Sequence, residues 1–180
     1  LKEQKNDLEM AIQDLKKVIE DITITMERQF SEEIGIINDY FNEVFSKLFG
    51  GGTAKLILSG EGSVLDCDIE IEAQPPGKKL QNISLLSGGE KALTAISLLF
   101  AILKRKPCPF CVLDEIDAAL DESNLNNFCN FLDEFTDSTQ FVIITHRKPT
   151  MEVCDVLYGI AMEEKGVSQI VSVRFDDMAS

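Results

Sequence analysis

Two stretches of this chain carry residue types suited to phosphate chemistry. The first is Leu85-Leu86-Ser87-Gly88-Gly89-Glu90-Lys91, a hydroxyl and two glycines set directly before a proline-free apolar run from Ala92 to Leu103. Glycines let backbone N–H groups close on an anion, and the start of a helix adds roughly half a positive charge. The second is Phe110-Cys111-Val112-Leu113-Asp114-Glu115, a short apolar run ending in two adjacent carboxylates. It reads as a buried parallel strand with acids at its C-terminal end, the edge where open α/β sheets hold their ligands. One stretch suits a phosphate, the other a metal ion and a water. Together they point to nucleotide hydrolysis.

Asp114 suits Mg²⁺, which keeps several waters and takes only one or two carboxylates. Glu115 points elsewhere and is free to polarise a water. The pair also reads as two solvated acids closing a strand. His146, the only histidine, follows the apolar run Gln140 to Thr145, one strand beyond the acids at the same sheet edge; a lone histidine there also fits as a satisfied edge residue. Ser87 fits a phosphate-gripping turn and equally a plain helix N-cap. Gly77-Lys78-Lys79 invites comparison with the pattern G-x-x-x-x-G-K-[ST]. Glu72 stands where glycine is required, however, and Lys79 where a hydroxyl is required. No other stretch matches, so the chain lacks a P-loop.

These residues need elements to hold them. Residues 1–48 contain no proline and a single glycine, Gly35. Leu1, Leu8, Ile12, Leu15, Ile19, Ile22 and Met26 recur mostly at the alternating steps of a coiled-coil seam. Phe30, Ile34, Ile37, Phe41, Phe45 and Leu48 continue with bulkier side chains and a period nearer about 11 residues. One helix passing from a stalk into a globular body is predicted, its coil partner lying outside this sequence. Gly50-Gly51-Gly52 ends it. Thr53 to Ser59 reads as a strand and Gly60-Glu61-Gly62 as a turn. Cys67, Ile69, Ile71 and Ala73 alternate with Asp66, Asp68, Glu70 and Glu72, the pattern of a half-buried strand with an acidic solvent face. Gln74 to Gln81 is a loop.

Beyond Glu115, Asp121 or Ser123 caps a helix carrying Leu125, Phe128, Cys129, Leu132 and Phe135. Gln140 to Thr145 is a second buried strand, and Pro149 sits in the first turn of a short helix. Val156 to Met162 and Val167 to Phe175 pair across Glu163-Glu164-Lys165-Gly166. Strands alternating with helices, then a hairpin, predict an α/β domain. Residues 1–48 form the stalk and neck, 49–180 the lobe.

Composition limits what such a site serves. Hydrophobic residues make up 44% and charged residues 27% of the chain, which fits one globular core. No apolar run reaches the roughly 18 residues of a membrane span, and the charged N-terminal residues lack the apolar region of a signal peptide. Five cysteines without a regular framework fit reduced thiols in a cytosol. Cys108-Pro109-Phe110-Cys111 has the spacing of a redox or zinc pair. Cys111 falls inside a predicted strand and no second ligand pair matches, so core thiols are expected. Basic residues number 17 against 31 acidic, a net charge of −14, which disfavours a free-standing nucleic-acid binder. Lys104-Arg105-Lys106 is a local basic patch or a solvated helix end.

Leu86-Ser87-Gly88-Gly89-Glu90 resembles the signature of ABC-type ATPases, and Phe110 to Glu115 a Walker B strand with its catalytic glutamate. Ala119-Leu120-Asp121 resembles the D-loop and Thr145-His146 the switch histidine. Pro75-Pro76-Gly77-Lys78-Lys79-Leu80-Gln81-Asn82, running into the signature, is similar to the head domain of the structural maintenance of chromosomes (SMC) proteins. Pro75 to Leu103 looks most like prokaryotic condensin SMC, and the likeness runs from about Phe41 to Asp177.

The resemblance implies the C-terminal lobe of an ABC-type ATPase head: a mixed, largely parallel sheet with flanking helices, entered by a long N-terminal coiled-coil helix. It implies ATP and Mg²⁺, with Glu115 as general base, His146 as γ-phosphate sensor and Asp114 as Mg²⁺ ligand, all serving the chain's own head. Leu86, Ser87, Gly88, Gly89 and Glu90 would close on ATP held by a second head, with Asp121 between the two sites. Without a P-loop, hydrolysis would need the N-terminal half of the same head. A kleisin subunit and DNA are the implied partners, and chromosome condensation and segregation the implied process. The implied setting is cytoplasmic and nucleoid-associated, away from membrane. The head of a related coiled-coil DNA-repair ATPase is the alternative. A transporter's nucleotide-binding subunit fits less well, since heptads precede the signature and Glu90-Lys91 stands where transporters usually carry glutamine.

Overall fold

The computed structural model describes residues 2–60 and 62–174. Helix α1 (Lys2–Phe49) is continuous over 48 residues, about 70 Å at 1.5 Å per residue. In its first half the heptad residues stand in solvent, with Leu8 64% and Leu15 63% exposed. Phe30, Ile34 and Ile37 are half-buried, and Phe41, Val44, Phe45 and Leu48 are fully enclosed. The change in period and residue size therefore marks where the helix enters the body. Gly52 has φ +82°, and a Cβ there would lie 2.3 Å from the Gln74 carbonyl oxygen, so the chain reverses at a point only glycine fits. The Asn127 amide donates to the Leu48 carbonyl at 3.0 Å, satisfying an acceptor left free at the helix end.

Strands β1 (Thr53–Ser59) and β2 (Asp68–Gln74) pair antiparallel, and β3 (Gln81–Asn82) adds to β2. α1 covers the β1 edge: Asn38 and Asn42 accept the N–H groups of Leu56 (2.7 Å) and Ala54 (3.1 Å), occupying donors that an edge strand leaves free. A 3₁₀ turn (Ile83–Leu85) leads into α2 (Gly88–Arg105). β4 (Phe110–Asp114) and β5 (Gln140–Ile144) are parallel, connected through α3 (Glu122–Leu132). α4 (Lys148–Glu152), with Pro149 in its first turn, precedes the hairpin β6 (Val156–Glu164) and β7 (Val167–Arg174).

Some details depart from expectation. The sheet expected to be largely parallel is, among the described residues, three separate groups of which only β4–β5 is parallel. Connection length decides this, because short links close antiparallel pairs whereas a parallel pair needs a crossover such as α3. Nor are β4 and β5 buried on both faces. Cys111 and Leu113 pack into the core, while Phe110, Val112, Val142 and Ile144 are 49–61% exposed. Alternate strand residues face opposite ways, and only one face meets α2 and α3. The last turn is shorter than predicted, since β6 runs to Glu164; Phe175 lies outside the described residues. The basic patch is largely neutralised within the fold: Lys104 and Arg105 pair with Glu43 (2.7 Å) and Glu33 (2.5 Å) of α1. All five cysteines are free. Burial pushes the Cys111, Cys129 and Cys154 thiols up, which keeps them protonated and unreactive. No helix of the described residues is long and apolar enough to cross a membrane.

α2 joins the two parts of the core. Its Leu93, Ile96, Phe100 and Leu103 share one cluster with Val44 and Leu48 of α1 and Leu125, Phe128 and Leu132 of α3. Its Ala101 belongs to a second cluster with Phe41, Phe45, Ala54, Ala73 and Leu86. Phe100 is fully buried, with the rings of Phe131 and Phe135 at 5.4 and 5.1 Å. Aromatic neighbours on several sides cannot collapse into the space it fills. Phe100→Ala is expected to lower the unfolding free energy by about 3–5 kcal/mol in denaturant titration. A much smaller loss would show that the core closes over the gap.

Candidate functional site

β4 and β5 end side by side, with Asp114 opposite Ile144. The ladder runs one bond further, from the Glu115 N–H to the Ile144 carbonyl at 2.9 Å. Glu115 makes it at φ +46°, the one non-glycine residue at positive φ among those described, a conformation costing roughly 1–2 kcal/mol. Such strain persists where the surroundings impose it, and it gathers at functional sites. The following turn closes through the Ala118 N–H to the Glu115 carbonyl and the Leu120 N–H to the Asp117 carbonyl, both 3.1 Å. His146 lies two residues beyond the end of β5. Its Nδ1 stands 4.0 Å from Glu115 Oε1, with the two side chains 70% and 64% exposed. Asp114 is exposed at the same edge.

The turn before α2 is built differently. Ser87 is the N-cap, and Glu90 folds back so that its Oε2 accepts the Ser87 N–H (3.0 Å) and hydroxyl (2.6 Å). This is a capping box. Lys78, from the loop after β2, grips the same carboxylate at 2.8 Å. Lys78 first, then Ser87, holds the Glu90 carboxyl down to about 2. Ser87 and Gly88 remain exposed. A Cβ on Gly89 would lie 3.2 Å from the Ala119 carbonyl oxygen, so this helix start abuts the Ala119-Leu120-Asp121 turn.

Two candidate ligand residues are engaged elsewhere. The Leu86 side chain, 5% exposed, belongs to the core cluster of Phe41 and Phe45, which leaves only its backbone for a ligand. Asp121, rather than Ser123, caps α3: its Oδ1 accepts the Asn124 N–H (2.8 Å) and its Oδ2 the Asn124 amide (3.1 Å).

Neither Lys78 as partner of Glu90 nor Asp117 stands out in the sequence. Lys78 and Glu90 meet across an irregular loop that no periodicity registers. Asp117 is 1% exposed and accepts hydroxyls from Thr145 (2.7 Å) and Thr150. The only hint is an acid set among Ile116, Ala118 and Ala119.

No cluster of three or more His, Cys, Asp or Glu among the described residues is arranged to hold a metal ion. A metal wanting three or four protein ligands therefore does not fit here. Asp114, an exposed hard oxygen donor, fits Mg²⁺, which retains waters and takes a single carboxylate. The exposed turn at Ser87 and Gly88, opening an 18-residue helix, suits an anion.

The ionised Glu90 supports its turn fully above the ordinary carboxyl value of 4.5, and that support is lost as pH falls toward about 2. Lys78→Ala is expected to cost about 1 kcal/mol at neutral pH. The gap to wild type should close between pH 4.5 and about 2. Urea titrations across this range measure it, and a pH-independent gap would exclude the ion pair as its source.

A family model described as the RecF/RecN/SMC N terminal domain matches residues 2–169. Over 98% of its length the chain is 53% identical to the chromosome partition protein Smc of Bacillus subtilis, and it spans only 15% of that relative. A solved Smc head domain with an extended coiled coil, bound to the C-terminal domain of ScpA and derived from Pyrococcus furiosus, superposes with a TM-score of 0.80 at 37% identity. The match covers 99% of this chain and 44% of the other. A chain from work on the ATP-driven dimerization and DNA stimulated activation of SMC ATPases gives a TM-score of 0.76 at 39% identity, over 85% of this chain and 92% of that one. In sequence across nearly its whole length, and in fold, the chain belongs to the RecF/RecN/SMC family and, within it, to the SMC proteins.

Proposed function

We propose that this chain is the C-terminal half of an SMC ATPase head, hydrolysing ATP only when joined by an N-terminal half bearing the P-loop and by a second head. The observation that carries this is the strained turn at the β4–β5 edge, where Glu115 at φ +46° stands 4.0 Å from His146. Hydrolysis of ATP needs charge neutralised on the phosphates and an oriented, in-line water. Asp114 would hold Mg²⁺, which would supply that neutralisation. Glu115, an exposed acceptor, orients the water and takes its proton. His146 reads the γ-phosphate. Ser87, Gly88 and Gly89 offer the N-terminal N–H groups of α2 to ATP on the second head. Glu90 fixes that turn, Leu86 anchors it in the core, and Asp121 lies between the two sites. The matching family model is worded for an N terminal domain. This chain pairs a signature, a Walker B strand and a switch histidine with no G-x-x-x-x-G-K-[ST], the complement of a P-loop half.

Residues 1–48 are the stalk and neck, whose exposed seam takes a second helix, and residues 49–180 are the lobe. A relative named for chromosome partition and a head bound to ScpA support chromosome condensation and segregation as the process, with a kleisin-type subunit as partner. ATP-driven dimerization and DNA stimulated activation, described for related SMC ATPases, support the second head and DNA. That process belongs to the cytoplasm and its nucleoid.

In the full-length protein, Glu115→Gln is expected to keep ATP-driven head dimerisation while phosphate release falls about 10²–10⁴-fold. Wild-type turnover in that variant would remove Glu115 from the chemistry. Ser87→Arg fills the exposed turn with a long side chain. It is expected to leave ATP binding unchanged and to abolish the ATP-dependent dimer in sedimentation. Dimers at the wild-type nucleotide concentration would place the turn outside the interface.

A further inference from the structure

Asp117 sits where stability alone does not ask for a charge. It is 1% exposed; Oδ2 accepts hydroxyls from Thr145 (2.7 Å) and Thr150, and Oδ1 has no partner among the described residues. A buried carboxylate left half-satisfied costs more than an apolar residue of similar size. Its value must lie in what it holds.

Both threonines belong to the segment that carries His146. The Thr145 hydroxyl, while donating to Asp117, accepts the Arg147 N–H at 2.9 Å. The Arg147 guanidinium donates to the Leu120 carbonyl at 3.3 Å, one residue before the α3 cap. His146 thus sits between two residues tied to the turn that follows Glu115. Its own ring is 70% exposed, so packing does little to fix it and its backbone must. On the far side of the same turn, the Glu115 N–H holds the Ile144 carbonyl at 2.9 Å.

Resting on the ATPase-head reading above, we infer that Asp117 is a positioning residue for ATP hydrolysis. It clamps the Thr145–Thr150 segment to the Glu115 turn, so that His146 and Glu115 address the same phosphate. Through Arg147 and Leu120 it also links that histidine to the α3 cap at Asp121. Its effect runs through His146, and it touches no substrate.

The test uses full-length protein and four readouts: kcat, KM for ATP, ATP-dependent dimerisation and thermal unfolding. Asp117→Ala is expected to lower kcat about 10–10²-fold, the scale of a misplaced catalytic group, with KM and dimerisation within about threefold of wild type. Asp117→Asn keeps an oxygen that accepts both hydroxyls and should recover most of the rate. Thr145→Val cuts the same link from the other end and should reproduce the kcat loss, which decides the matter if Asp117→Ala does not fold. In a His146→Ala background, Asp117→Ala should cost nothing further, because residues acting as a unit are not additive. Full multiplication of the two losses, or wild-type kcat in both Asp117→Ala and Thr145→Val, overturns the inference. Glu115→Gln, assayed alongside, separates the two levels. If it retains wild-type turnover the ATPase reading itself fails; if it is inactive while the Asp117 and Thr145 variants are not, only the clamp fails.

Discussion

The parallel ladder between β4 and β5 continues one bond past the end of β4, from the Glu115 N–H to the Ile144 carbonyl, and the left-handed turn at Glu115 accompanies that bond. The register beneath it is fixed by packing. Cys111 and Leu113 face the core while Phe110 and Val112 do not, and a slip of one residue would exchange the two sets. With Leu113 locked inward, Asp114 must stand opposite Ile144, and the residues that follow must leave the sheet together. The meeting of Glu115 and His146 is thus a consequence of core burial several residues away.

α2 extends the same logic to the second half of the site. Its buried face reaches both core clusters, so the turn at its N-terminus cannot shift without disturbing them. Leu86 secures that turn from below and the Lys78–Glu90 pair secures it from the side. Gly89 then lets the helix start approach the Ala119 carbonyl. A bulkier residue there would have to displace backbone, which is far stiffer than a side chain. The two motif turns are therefore mechanically adjacent, although about thirty residues separate them in sequence.

Much of this was legible because periodicity and punctuation carry strong signals. The long helix, the glycine stop, both edge-forming strands and the α3 core residues Leu125, Phe128, Cys129 and Leu132 follow from repeating apolar spacing or from backbone chemistry that few residues satisfy, with Asp121 one of two caps that chemistry allowed and Phe135 falling in a 3₁₀ turn beyond the helix. The open face of β4 and β5 was not legible. An apolar run such as Phe110 to Leu113 reads as buried on both sides whether or not this chain supplies the cover. Asp117 and the role of Lys78 as partner of Glu90 escaped for another reason. Each contact starts from a loop residue, Lys78 or Asp117, whose side-chain direction is set by tertiary structure and not by any repeat. The pairing of Lys104 and Arg105 with α1 joins two helices, and it too was hidden, because partners 61 and 72 residues apart are brought together only by packing.

The surfaces left open fit the proposed role better than they fit a self-sufficient domain. The seam of α1 and the outer residues of β4 and β5 are large apolar side chains exposed in runs, and contiguous patches of this kind mark surfaces that another polypeptide covers. The stalk surface repeats at coiled-coil spacing, which selects a helix as its cover. The strand surface lies on the sheet whose edge carries Asp114, Glu115 and His146, so whatever covers it also comes close to the acids. Charge argues the same way. The net charge is −14, and Lys104 and Arg105 are already committed to glutamates of α1. On the proposed reading, cations for phosphate binding come in large part from the polypeptides that complete the head.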